Sequence, residues 1–140
     1  MRIAAILIAV LLLGTVFPAR ADFERDRRHC SGHADPGVRA QACTRLIQSA
    51  RFDGEALATI YRNRGNAYRI DGRHEQAIQD FDHAIRLNGG DGKAFAGRGF
   101  AYEKIGRADQ ALEDYKEAYR LGFRVNFLVK KIRELGARKR

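Results

Sequence analysis

The feature that most constrains this chain is an internal repeat of 34 residues. Residues 58–91 and 92–125 share twelve identical positions. Arg64, Gly65, Ala67 and Tyr68 recur as Arg98, Gly99, Ala101 and Tyr102, and Gly72 and Arg73 as Gly106 and Arg107. Gln76, Ala77 and Asp80 recur as Gln110, Ala111 and Asp114, and Ala84, Arg86 and Leu87 as Ala118, Arg120 and Leu121. Tyr61 with Phe95, Ile78 with Leu112 and Phe81 with Tyr115 are conservative matches. A unit of this size cannot bury its apolar face alone, so neighbouring units must stack.

Each unit reads as two helices. Tyr61, Gly65 and Tyr68, then Ala77, Phe81 and Ala84, lie three to four apart and give one apolar stripe per helix. Gly72 and Gly106 fall between the halves, where a left-handed residue ends a helix and starts a tight turn. Gly65 and Gly99 sit inside the first helices at a cost of about 1 kcal/mol each against alanine. A glycine placed twice at that cost predicts a close helix approach, with the small Ala77 and Ala84 facing the large Tyr68 and Phe81. Asn88-Gly89-Gly90-Asp91 and Leu121-Gly122 close the second helices.

These positions resemble the tetratricopeptide repeat (TPR) family over 58–125. Gly65, Tyr68, Ala77, Phe81 and Ala84 stand at its small and large positions in the first unit. Gly99, Tyr102, Ala111, Tyr115 and Ala118 do so in the second. Tyr61 and Phe95 replace the frequent tryptophan, Arg64 and Arg98 the usual leucine, and Gly89 and Phe123 the closing proline. The resemblance implies an all-α fold of antiparallel helix-turn-helix repeats in a right-handed superhelix, closed by a C-terminal capping helix.

The flanks complete the organisation. Arg2, the apolar run Ile3 to Phe17 and the small residues of Ala19-Arg20-Ala21 have the layout of a signal peptide over 1–21, with cleavage expected after Ala21. The run is shorter than the roughly 20 residues that span a bilayer, and a retained anchor is the alternative. The protein is expected to be periplasmic or secreted, an exported bacterial type. Residues 22–57 read as a degenerate repeat in which Asp35-Pro36 starts a helix. Ala42, Leu46, Ile47 and Ala50 form its stripe, and the 34-residue frame puts Ile47 and Ala50 at the aromatic and second alanine positions. Cys30 and Cys43 are expected to form a disulfide in an oxidising compartment. His29 and His33 flank Cys30, but the spacing fits no zinc pattern, so no metal and no cofactor is expected. Residues 126–140 read as a basic capping helix and tail, with Val125, Leu128, Val129, Ile132 and Leu135 on one face.

Charge is unevenly spread. Residues 22–123 hold 17 Lys/Arg and 16 Asp/Glu, whereas 124–140 hold seven basic residues against Glu134. The repeats are close to neutral and the tail is not. The basic tail fits a solubilising cap, contact with an anionic membrane surface, or an acidic partner. Nucleic acid is not expected without an interleaved aromatic and basic platform. No nucleophile elbow, phosphate loop or paired zinc histidines are present, so no enzyme is expected.

The resemblance implies a concave groove lined by the first helices, docking a protein or peptide. Carried over by position, its residues are Arg62, Asn66 and Arg69, then Lys93, Ala96, Phe100, Glu103 and Lys104. Arg62 and Asn66 are similar to the start of the family's carboxylate clamp, which holds an anion by charge-assisted hydrogen bonds. The clamp would continue with an asparagine where Gly97 stands and with Lys131. Self-association of so short an array would lengthen its groove. The leading expectation is a non-catalytic interaction module of the cell envelope or secreted space. The alternative is a peripheral membrane-surface protein held by its last helix.

Overall fold

A computed structural model describes residues 16–138. Most of the expected signal peptide, including its apolar run as far as Thr15, lies outside the described residues, as do the last two basic residues. The described residues form seven helices and no strand. They are α1 (Val16–Ser31), α2 (Pro36–Gln48), α3 (Gly54–Ile70), α4 (His74–Leu87), α5 (Gly92–Lys104), α6 (Ala108–Arg120) and α7 (Asn126–Ala137). Each helix packs on the next, and α1, α3 and α5 also touch in series. The fold is an all-α helical repeat.

Local chemistry sets the boundaries. The Asp35 carboxylate accepts hydrogen bonds from the backbone N–H groups of Gly37 and Val38 and starts α2 ahead of Pro36. Asp91 caps α5 through the N–H groups of Lys93 and Ala94. Such caps satisfy orphan donors at a helix start and are worth about 1 kcal/mol each. Gly72 and Gly106 adopt φ of 75° and 81°, and the next residue's N–H returns to the carbonyls of Tyr68 and Tyr102.

Three cores run along the stack. Ala77, Ile78, Phe81, Ala84, Ala94 and Ala101 form the middle one. Ala111, Leu112, Tyr115, Ala118, Leu128 and Leu135 form the C-terminal one. Cys30, Ala42, Cys43, Leu46 and Ile60 form the N-terminal one, built around the disulfide between Cys30 and Cys43. Both glycines in the first helices meet rings. A Cβ on Gly65 would stand 3.2 Å from the Phe81 ring, and one on Gly99 2.9 Å from the Tyr115 ring.

Where the family usually has leucine, arginines tie the helices together. Arg64 makes a bidentate pair with Asp80, 2.7 Å at both oxygens, and donates from its third nitrogen to the Thr44 hydroxyl at 3.0 Å. Arg98 does the same with Asp114 at 2.7 and 2.8 Å, and its third nitrogen reaches Asp82 of the preceding unit at 2.5 Å. Asp80 and Asp114 are buried. Burial opposes the charge on Arg98, but its bonds to the two aspartates prevail and raise its pKa further above the ordinary arginine value.

Two sequence expectations need correction. Ala50 is exposed, lies outside α2 and has a left-handed φ of 52°, so it does not occupy the second alanine position. Thr44 takes the place beside Arg64 that Asp82 takes beside Arg98. By that equivalence the buried Ala40, Ala42, Cys43 and Leu46 match Ile78, Asp80, Phe81 and Ala84, an offset of 38 residues rather than 34. The difference of four is one helical turn, and it lies at the start of α3, which begins at Gly54 where α5 begins at Gly92. In α7, Leu128, Ile132 and Leu135 pack inward, whereas Val125 and Val129 are exposed.

Removing one partner of the buried pair should cost far more than removing both. Arg98→Ala is expected to destabilise by about 3 kcal/mol, because Asp114 is left buried without a counter-charge. Arg98→Leu with Asp114→Ala should recover most of that loss. Urea unfolding of the two variants checks the order, and equal losses would refute it.

Candidate functional site

The first helices α3 and α5, together with α7, present a patch of cations and rings. Arg69, near the end of α3, is half-buried, and its guanidinium lies 4.8 Å from the centre of the Phe100 ring of α5. Lys104 approaches the same ring to 5.2 Å, and His74 of α4 tilts against it at 6.5 Å. Asn66 accepts a long hydrogen bond of 3.4 Å from Arg69. Among the described residues no carboxylate lies within ion-pair distance of Arg69 or Lys104. Burial lowers the Arg69 pKa from its ordinary value, a sign that its charge is poorly compensated.

Beside this patch, Glu103 joins α5, α6 and α7. It accepts from the Tyr115 hydroxyl at 2.9 Å and from the Lys131 ammonium at 2.6 Å. Burial pushes the Glu103 pKa up, but the bonds from Lys131 and Tyr115 together outweigh it and hold the carboxyl below its ordinary range. Burial and the neighbouring Glu103 push the Tyr115 hydroxyl well above the usual tyrosine range. The Phe127 ring of α7 stands edge-on to Tyr115 at 6.4 Å, and Lys131 lies 5.7 Å from it. Phe127 is 48% exposed, so it offers a free apolar face next to the cations.

The residues expected in the groove therefore divide. Arg69, Phe100, Glu103, Lys104 and Lys131 come together, with Asn66 behind Arg69. Arg62 does not offer its charge outward: its guanidinium pairs with the Asp91 cap at 2.6 Å, and both side chains are largely covered. Lys93 is exposed at the start of α5. Gly97 has a physical reason to be glycine. A Cβ there would fall 2.5 Å from the Phe81 ring, so the asparagine that the carboxylate clamp needs has no room. Phe127 and His74 were not among the expected groove residues. Phe127 precedes Lys131 by four residues and is off the apolar stripe of α7, and that spacing was its signal.

The chain's likeness to known proteins agrees with this fold. Residues 56–122 match the family model described as tetratricopeptide repeat. These two units are TPR repeats. Among solved structures, the Arabidopsis OM64 TPR domain is 25% identical, with a TM-score of 0.65, covering 71% of this chain and 79% of that one. The second TPR domain of human RPAP3, solved with the HSP70 peptide SGPTIEEVD, is 27% identical, with a TM-score of 0.64 and coverage of 72% and 81%. The second TPR of Spaghetti (RPAP3), bound to the HSP90 peptide SRMEEVD, is 27% identical, with a TM-score of 0.61 and coverage of 74% and 91%. No curated protein sequence matches the chain.

Two outcomes follow from the site. Gly97→Asn is expected to destabilise by about 1–3 kcal/mol through overpacking against Phe81, rather than to complete a clamp; thermal unfolding checks this, and an unchanged midpoint would refute it. The Glu103 bond has the sign of a depressed carboxyl. Its contribution is present above the ordinary glutamate pKa of about 4.3 and is lost as pH falls through the lower folded value. Amide protection in α7 should drop over that acid range in the parent and be low at every pH in Glu103→Gln.

Proposed function

We propose that the chain is an exported, non-catalytic adaptor whose TPR groove holds an acidic segment of a partner protein. The observation that carries this is Arg69, a half-buried guanidinium stacked on Phe100 with no carboxylate partner among the described residues. A desolvated cation left uncompensated gains from any anion docked beside it. Phe100 and the exposed Phe127 supply apolar contact, and Lys104 adds a second charge. The peptides held by the TPR domains of RPAP3 and Spaghetti both carry two adjacent glutamates and an aspartate near their ends, which supports an acidic ligand. The signal-like start of the sequence and the Cys30–Cys43 disulfide support a periplasmic or secreted location.

A second reading has its own support. Phe127 and Val129 are exposed on the same helix as Lys130 and Arg133, a combination suited to an anionic membrane surface. Sedimentation with anionic vesicles separates the two: salt-sensitive binding that depends on α7 favours the membrane, and its absence removes that reading.

For the adaptor, a photo-cross-linker at Lys104 in cells should capture a distinct protein. Arg69→Glu is expected to abolish the capture and to leave folding intact, since Arg69 holds no ion pair that its loss would orphan. Capture unchanged by Arg69→Glu would sink the proposal.

A further inference from the structure

The offset of 38 residues that relates α2 to α4 also relates α1 to α3. It places Phe23 at Tyr61, Asp26 at Arg64, Cys30 at Tyr68 and Cys43 at Phe81. In the middle hairpin Tyr68 and Phe81 share one core, with the Phe81 ring against Gly65. In the first hairpin two sulfurs stand where those rings stand, joined by the disulfide. Asp26 reverses the sign of the residue at its matching position and takes its cation from Arg45, at 2.6 and 2.8 Å. The α1–α2 hairpin is therefore a full repeat in which a covalent bond does the work of the aromatic wedge.

That bond decides what holds α1. From Asp22 onward the apolar residues of α1 are Phe23 and Cys30, amid three acidic residues, three arginines and one histidine. So little apolar surface does not offset the entropy of ordering a ten-residue segment. The noncovalent contacts are weak. Arg45 is half-exposed, so its pair with Asp26 is screened by solvent. Phe23 stacks on Phe52 at 5.9 Å, and neither ring is fully buried. By contrast α2 has its own hold on α3, through Leu46 against Ile60 and the bond from Arg64 to Thr44.

We propose that the Cys30–Cys43 bond is a redox latch: a dithiol reductant opens it, and α1 alone then leaves the stack, baring Leu46 and Ile60 while α4 to α7 stay folded. The chemistry is thiol–disulfide exchange. One thiolate of the reductant attacks a cysteine sulfur, the S–S bond breaks and the other cysteine leaves as a thiolate. The second thiolate of the reductant resolves the mixed disulfide. The reductant has given two electrons and ends as a disulfide, and two protons complete the cysteine thiols. Cys30 is 2% exposed and Cys43 fully covered, so the reductant reaches them only when α1 lifts. The inference does not depend on what the groove binds, and it makes the three-hairpin array a state that only oxidising conditions maintain.

Hydrogen exchange read by mass spectrometry tests this on the protein purified from expression of the full coding sequence, oxidised or treated with dithiothreitol. Iodoacetamide labelling confirms that both thiols are free in the treated sample. Closing a loop of this length favours the ordered form by roughly a hundredfold. Peptides over residues 22–30 should lose protection by that factor on reduction and regain it on reoxidation, while α4 to α7 keep theirs. Cys30→Ser with Cys43→Ser should match the reduced protein with or without dithiothreitol. Unchanged protection of residues 22–30 in the fully reduced protein, or in the double-serine variant, overturns the inference, because the noncovalent contacts would then suffice. Loss of protection extending through α7 also overturns it, since the bond would then hold the whole array rather than α1.

Discussion

The stack depends on a ring laid against glycine. Phe81 lies over Gly65 of its own unit and Gly97 of the next, and a Cβ at either position would press on it. One side chain thus sets the separation of α3, α4 and α5, in an interior that tolerates neither a void nor an added methyl group. In the second unit the ring is Tyr115, over Gly99. The added hydroxyl turns the wedge into a polar link, because it donates to Glu103, which also receives Lys131 from α7. A conservative exchange between repeats therefore marks where the repeating pattern stops and the capping helix begins.

The arginines divide by neighbourhood, and charge totals hide the division. Arg62, Arg64 and Arg98 are committed to internal aspartates. Asp80 and Asp114 exist largely to receive them, which is why an Arg–Asp pair recurs with the repeat. Arg69 and Lys104 lean on Phe100 instead and keep their charge outward. A near-neutral repeat region can thus still present a cationic groove.

Much of the fold was legible in the sequence, because the repeat states each requirement twice. Gly65 and Gly99 marked the close approach, Gly72 and Gly106 the turns, and Ala77, Ala84, Ala111 and Ala118 the buried small positions. The N-terminal unit was harder to read. Its four-residue extension at the start of α3 breaks the period, so a fixed frame assigned Ala50 to a core that Leu46 fills. The groove was legible only by position. Whether an arginine is free or paired depends on partners far away in the chain: Asp91 lies 29 residues from Arg62. No local pattern distinguishes that arginine from Arg69.

The third nitrogen of Arg98 has a consequence for how the array comes apart. It spans from one hairpin to the one before it, through Asp82. Arg64 makes the matching bond to a neutral hydroxyl, Thr44, and Ile132 stands in α7 where a third arginine would fall. Stitching through this register of arginines is therefore ionic only at the centre, and α7 is held instead by the Lys131–Glu103 pair. In a nearest-neighbour stack, such a pattern makes the middle two hairpins one cooperative block, with the terminal helices opening first at lower free energy. The groove assigned to binding spans that block and reaches α7 only through Phe127 and Lys131, so its occupancy would be felt as tightening of the last helix.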